Sequence, residues 1–334
     1  MFWRLGLAGL SWWVWPQQCW GLIGGAVVTG VVGLVSVPLL RWLKTGQVMR
    51  PEGPQNHLSK AGTPTMGGIY FVPVGLAVAA WLQPTPAVLA VVAVTLAYGF
   101  VGWLDDWQVI RKQSNAGITP RQKLLGQIAI AIGACFWMHT SMSTTVALPW
   151  LPDLPLGWLF WPLALFVLVG TSNAVNLTDG LDGLAGGTSA IVLVGMAGVI
   201  AAEHPDLAGL CLVLAGACLG FLTHNRFPAR VFMGDTGSLA LGGALGMISL
   251  LSNSLWALAL LGGVYVLESC SVLLQVSYFK YTKKKTGTGQ RLLRMSPLHH
   301  HLELGGWHET TVVLVLYLAA LGFAALGWWL QTLL

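Results

Sequence analysis

The strongest constraint on this chain is a succession of ten apolar runs, at approximately 20–43, 67–83, 86–104, 124–140, 157–172, 184–202, 207–223, 237–252, 255–279 and 311–332. A helix needs about 20 apolar residues to cross the hydrocarbon core of a bilayer, and so many runs of roughly that length point to a chain built of membrane-spanning helices. Charged residues make up only 9% of the 334, where an average soluble chain carries roughly 25%. A water-soluble fold is excluded. The expectation is an all-α polytopic membrane protein, one integral membrane domain over 1–334 with a ten-helix core at 20–332.

The first sixteen residues read differently. Arg4 precedes a short apolar stretch, and Trp12, Trp13 and Trp15 stand before Pro16 with no small-residue cleavage site. The expectation is an uncleaved segment over 1–16, lying in the interface with its tryptophans at headgroup level.

Between the apolar runs, five long polar stretches (44–66, 105–123, 173–183, 224–236 and 280–310) alternate with short, nearly uncharged connections, so all five fall on one side of the membrane. Every Lys and Arg except Arg4 lies in or beside these stretches. By the positive-inside rule that side is cytoplasmic and both termini are outside. The net charge of +5 is therefore a topology signal, spread between apolar runs and forming no basic face for nucleic acid. The five cysteines are odd in number, lie in or beside apolar segments and show no C-x-x-C spacing, which argues against disulfides and thiolate metal sites. On the outer side, 141–156 has the makings of a small hairpin and carries no evident chemistry.

Polar residues on one face of a helical bundle are best read together. The third run ends in Asp105-Asp106, whose side chains on a helix point about 100° apart, one toward a ligand and the other toward a neighbour; a charged helix end would look the same. Asn173-Ala-Val-Asn-Leu-Thr-Asp179-Gly-Leu-Asp182-Gly has two carboxylates and two amides but no basic partner nearby in sequence. If it is helical, Asp179 and Asp182 share a face. Asp235 in Met233-Gly-Asp-Thr-Gly-Ser stands just before a helix start, as a cap or, with the other carboxylates, as a ligand for a divalent cation. Oxygen donors without clustered thiolates favour Mg²⁺ or Mn²⁺ over Zn²⁺.

In the fifth stretch, His299, His300 and His301 fan round most of a helix circumference and can donate to phosphate oxygens, move protons or bind metal. Lys60 and the hydroxyls of Thr63 and Thr65 occupy a Gly/Pro-punctuated turn that can meet an anion. Glu268 lies inside the ninth run, where a carboxylate is costly unless it faces the bundle interior. Clustered Asp, a His triplet, basic residues and glycine turns at an interface suit metal-assisted phosphoryl transfer with a lipid as one substrate.

These motifs, together with His57-Leu-Ser-Lys-Ala-Gly-Thr-Pro-Thr-Met-Gly-Gly, Val231-Phe-Met-Gly-Asp-Thr-Gly-Ser and His299-His-His-Leu-Glu, resemble in order the phospho-N-acetylmuramoyl-pentapeptide transferases, from about residue 41 to 309. The resemblance implies a Mg²⁺-dependent transfer of phospho-MurNAc-pentapeptide from UDP-MurNAc-pentapeptide to undecaprenyl phosphate, giving lipid I and UMP for peptidoglycan synthesis at the bacterial plasma membrane. It implies ten helices, a homodimer and a cytoplasmic active site. It also implies Asp235 as the magnesium ligand and Asp105 and Asp106 in the reaction centre, with His299, His300 and His301 near the sugar-phosphate end. Lys60, Thr65, Asn176, Asp179, Asp182, Asn225 and Phe232 would line the uridine and diphosphate pocket, Phe232 offering its ring to uracil, and Arg121 and Lys123 are candidates for an additional phosphate contact. Direct attack by the lipid phosphate and a covalent enzyme intermediate are both compatible with these residues.

Two other readings compete. A polyprenyl-phosphate GlcNAc-1-phosphate transferase would use the same metal chemistry. A transporter would place its binding residues near the midplane, whereas here nearly all ionisable residues lie at one interface.

Overall fold

The computed structural model of the chain describes residues 14–43, 45, 60, 62–112, 117–140 and 142–333. The expected interfacial segment at 1–16 and the beginning of the first polar stretch, including His57, fall largely outside them.

Nine of the ten apolar runs each lie mainly on one helix, the run at 255–279 is broken into two, and the described residues are mostly helical. The order is α1 (Val14–Trp42), α2 (Gly68–Leu82), α3 (Pro86–Lys112), α4 (Pro120–His139), α5 (Phe160–Thr178), α6 (Leu184–Ile200), α7 (Pro205–Asn225), α8 (Gly234–Leu251), α9 (Leu255–Leu261), α10 (Gly263–Thr286), α11 (Leu298–Glu303) and α12 (Glu309–Thr332). Five of these helices are long and apolar enough to cross a membrane, and a sixth span results if α9 and α10, bent by 74° at the glycine pair Gly262-Gly263, count as one. Residues 142–156 contain a small hairpin, with β1 (Thr145–Val146) antiparallel to β2 (Leu154–Pro155).

Burial separates inner from outer helices. In α7, 83% of the most apolar window is buried inside the protein, against 22% in α1. α7 packs against α1, α2 and α6, while α8 packs against α3 and α5. With lipid outside, no hydrophobic force drives helices together, so close backbone approach through small residues does the work. At Gly216 of α7 a Cβ would stand 2.1 Å from the Leu22 carbonyl oxygen of α1. At Gly102 of α3 it would stand 2.1 Å from the Asp235 carbonyl oxygen, and at Gly68 of α2, 2.2 Å from the Gly237 nitrogen. These last two glycines draw α2 and α3 onto the first turn of α8, and that contact builds the site.

The polar stretches are shorter than the hydropathy pattern suggested, because helices run beyond the apolar residues. α3 continues past 104 to Lys112, so Asp105 and Asp106 sit within a helix. α5 reaches Thr178, placing Asn173 and Asn176 on its last turns. α10 carries Lys283, Lys284 and Lys285 on its final turn. The reason is that backbone hydrogen bonding does not stop where side chains turn polar; helices end at specific signals, here Gly287 with φ 78°. The helical reading of Asp179 and Asp182 is corrected: Asp179 caps the end of α5 with φ −81° and ψ 53°, and Asp182 lies in the turn before α6.

Candidate active site

Four helix ends meet around Asp235. Its carboxylate Oδ1 accepts from Asn176 Nδ2 at 2.8 Å, and Oδ2 takes the Lys123 ammonium as a close ion-pair partner. Lys123 also donates to Asn176 Oδ1 at 3.1 Å. Its position is set by the start of α4, where Thr119 and Gln122 form a reciprocal capping box with Pro120 as the first helical residue. Sequence reasoning gave Lys123 only the part of an extra phosphate contact; its place in the centre depends on how α4 packs.

The two adjacent aspartates of α3 do different jobs. Asp106 is buried and serves as the cap of α8 across the helix interface: Oδ1 accepts from the Asp235 N–H at 3.1 Å, and Oδ2 from the Thr236 N–H at 3.0 Å and the Thr236 hydroxyl at 2.6 Å. The residue preceding α8, Met233, supplies no side-chain cap, so the orphan donors of the first turn are met from α3. Gly234 makes this possible; its φ is 74°, and a Cβ there would stand 2.6 Å from Asp106 Oδ2. Asp105 points elsewhere: its Oδ1 accepts from the Ile118 N–H at 2.8 Å, and its carboxyl interacts electrostatically with that of Asp235.

Asp179 completes the group. Burial pushes its carboxyl well above the usual carboxylate range, and the neighbouring charges of Asp235, Asp106 and Asp182 push the same way, with a backbone hydrogen bond at Gly234 opposing them. Four carboxyl groups thus lie near one another, with the Lys123 ammonium paired to Asp235.

A second group lies beside the first. Lys60 donates to Asp182 Oδ1 at 2.7 Å and to Glu309 Oε1 at 2.6 Å, and its ammonium is 5.7 Å from the centre of the Phe227 ring. Asp182 Oδ2 accepts from the Ala229 N–H at 2.9 Å, while its own N–H donates to Glu309 Oε1 at 2.8 Å. Asn225 accepts from the Gly183 N–H at 3.1 Å and donates to the Val231 carbonyl at 2.9 Å. The Phe232 N–H donates to the Pro64 carbonyl and the Phe232 carbonyl accepts from Gly67, both at 2.8 Å, which lays the 231–233 segment on the turn holding the buried Thr65. The turn before α6 and the loop before α8 are thereby tied to each other, and each is tied to the turn before α2.

Glu309, a full member of this network, was missed by sequence reasoning. An acid at the start of the last apolar run looks like ordinary complementation of the helix dipole.

The histidines fan round α11 as expected. His299 is fully buried against Glu268 of α10, His300 Nδ1 stands 3.0 Å from Glu303 Oε2, and His301 Nδ1 accepts from the Arg294 N–H at 3.1 Å. Glu268 does face the interior. The three rings serve three environments, and His299 reaches the first group through Gly180, the neighbour of Asp179, where a Cβ would stand 2.1 Å from its Nε2.

Among the described residues no three His, Cys, Asp or Glu side chains form a ready metal cage. Mg²⁺ does not need one: it keeps several waters and is held by one or two carboxylates plus substrate phosphates. The donors around Asp235 fit this, being oxygen-rich, with the Lys123 ammonium lying where Asp235 meets positive charge.

Helical membrane-type architecture with an acidic centre at converging helix ends defines a class, and a model described as Glycosyl transferase family 4 matches residues 88–253. A signature of phospho-N-acetylmuramoyl-pentapeptide-transferase matches residues 60–72. Curated relatives carrying that name include one from Synechococcus sp., 60% identical over 91% of this chain and 89% of its own length. Others come from Gloeothece citriformis, at 56% over 90% and 84%, and from Nostoc punctiforme, at 57% over 90% and 84%. The chain belongs to the phospho-N-acetylmuramoyl-pentapeptide-transferase family.

Proposed function

We propose that the group formed by Asp105, Asp106, Lys123, Asn176, Asp179 and Asp235 is the centre at which this chain carries out its family's reaction. That reaction moves phospho-MurNAc-pentapeptide from UDP-MurNAc-pentapeptide to undecaprenyl phosphate. A new P–O bond forms at the sugar-linked phosphorus, the bridging P–O bond of the diphosphate breaks, and UMP leaves with its electrons. The observation that carries the assignment is the meeting of Asp105, Lys123, Asn176 and Asp235 from four helices at one end of the bundle.

Asp235 is the magnesium ligand, with Asp105 as its carboxyl neighbour. Bound Mg²⁺ supplies charge neutralisation at the diphosphate. Asp105 is the member of the α3 pair that addresses the lipid phosphate, because both oxygens of Asp106 are already engaged by α8. Lys123 supplies positive charge to the transferred phosphoryl group. Lys60, Thr65, Asp182, Asn225 and Phe232 form the uridine and diphosphate pocket, in which Asp182 and Asn225 hold the loops while the half-buried Phe232 offers a stacking face. His299, His300 and His301 stand at the sugar-phosphate end.

The whole chain is a single membrane domain of ten spans with the five polar stretches at the cytoplasmic face of the bacterial plasma membrane, both termini outside, and a second copy as its partner in a homodimer. The distribution of Lys and Arg supports the orientation.

The test is UMP release by detergent-purified protein given undecaprenyl phosphate and UDP-MurNAc-pentapeptide, with and without Mg²⁺, and with UDP-GlcNAc as a parallel donor. Metal-dependent release with the muramoyl donor alone is expected. Release with UDP-GlcNAc alone would move the protein to the neighbouring specificity.

A further inference from the structure

Glu268 sits in the first half of α10, and neither its side chain nor that of His299 has any solvent exposure. The His299 Nδ1 lies 3.2 Å from Glu268 Oε2, and the His299 backbone N–H donates to the same oxygen at 3.4 Å. On the far side of the imidazole, Nε2 presses on Gly180 so closely that a Cβ there would stand 2.1 Å away. The His300 ring packs edge-on at 4.2 Å between centroids and restricts the plane further.

Stability does not account for this arrangement. A buried carboxylate beside an imidazole loses hydration that an apolar pair of the same volume would never have had. Moreover, Glu268 Oε1 and both ring nitrogens of His299 make no hydrogen bond among the described residues, Nδ1 meeting Glu268 only as a 3.2 Å charge contact, although a buried polar atom is normally satisfied. Both features make sense if the imidazole must be held in one orientation with its second nitrogen facing the turn that carries Asp179.

We infer that Glu268 is a positioning residue for the transfer reaction, acting through His299: the carboxylate facing Nδ1 and the wall at Gly180 hold the ring in one orientation, with Nε2 toward the Asp179 end of the reaction centre. Carboxylate-to-imidazole pairs of this kind set which ring nitrogen is available to a substrate. The inference rests on reading His299 as part of the centre, and the experiment separates the two.

UMP release is measured for Glu268→Gln, Gly180→Ala, His299→Ala and the Glu268→Gln/His299→Ala double variant, each checked for folding by thermal unfolding in detergent. Glu268→Gln keeps the shape and removes the charge; it is expected to lower kcat roughly ten- to a hundredfold, the range seen when a group orienting an active imidazole is lost, with KM for the nucleotide substrate little changed. Gly180→Ala, which crowds the ring from the opposite side, is expected to give the same split without touching Glu268, and it carries the test should Glu268→Gln not fold. In the His299→Ala background Glu268→Gln is expected to cost nothing further, because it has no ring left to orient. Full loss in His299→Ala with wild-type kcat in either Glu268→Gln or Gly180→Ala overturns the inference, as do losses that add in the double variant. Full activity of His299→Ala overturns the underlying reading of His299 itself.

Discussion

At the scale of single residues, two neighbouring aspartates differ in kind because a helix turns their side chains about 100° apart. Asp106→Ala strips the acceptor from two backbone N–H groups and a hydroxyl at the start of α8. The expected cost is about 1–3 kcal/mol, from donors left buried and unpaired, seen as a lower unfolding temperature in detergent. Asp105→Ala removes one acceptor for Ile118 and leaves α8 capped, so it is expected to abolish UMP release while unfolding close to the wild type. Equal destabilisation by both substitutions would contradict the division of labour. Asp235→Asn is expected to end metal-dependent turnover without unfolding the protein; turnover with normal Mg²⁺ dependence in that variant would remove Asp235 as the ligand. Most residues of this centre could be read from the chain, since carboxylates, amides and a His triplet are conspicuous among apolar runs. Glu309 and the true place of Lys123 could not, because a helix-starting acid and a lysine near a helix start are commonplace until their partners are known.

At the scale of elements, the site depends on how closely α3 and α2 reach α8. Gly102→Ala places a methyl against the Asp235 carbonyl, 2.1 Å away in the present backbone, so the two helices must separate. Overpacking of this sort costs about 1–3 kcal/mol, and activity is expected to fall further than stability because Asp105 withdraws from Asp235; thermal unfolding and UMP release on the same sample check both. The start of α12 is tied in by Lys60, whose ammonium serves two carboxylates with 2% and 7% side-chain exposure. Lys60→Met leaves both acids buried without a cation and is expected to destabilise by about 3–5 kcal/mol, the range for breaking a buried pair. Adding Asp182→Asn and Glu309→Gln is expected to recover much of that loss, and a triple variant no more stable than Lys60→Met would refute the ion-pair account. Helix existence was legible from hydropathy, but helix ends were not. They follow caps and glycines that lie outside the apolar pattern, as at Thr119, Gln122 and Gly287.

For the whole molecule, orientation is the property most in need of measurement. With the exposed Cys19 and Cys270 replaced, a cysteine at Thr288 is expected to react with an impermeant maleimide only from the cytoplasmic side, and one at Asp153 only from the outer side. The opposite pattern would invert the assigned topology. By itself, the sequence determined that this chain lives in a membrane, roughly where its helices run, and which side chains are candidates for the chemistry; these follow from transfer free energies and residue types, which are local properties. Tertiary structure decided the rest: that Asp106 caps a helix it does not belong to, that Lys123 sits at Asp235, that Lys60 is shared by Asp182 and Glu309, and that Glu268 backs His299. Each of these joins residues far apart along the chain, and their meeting is set by how the helices pack, as at Gly102 and Gly68 against α8, which no local pattern of hydropathy or charge records.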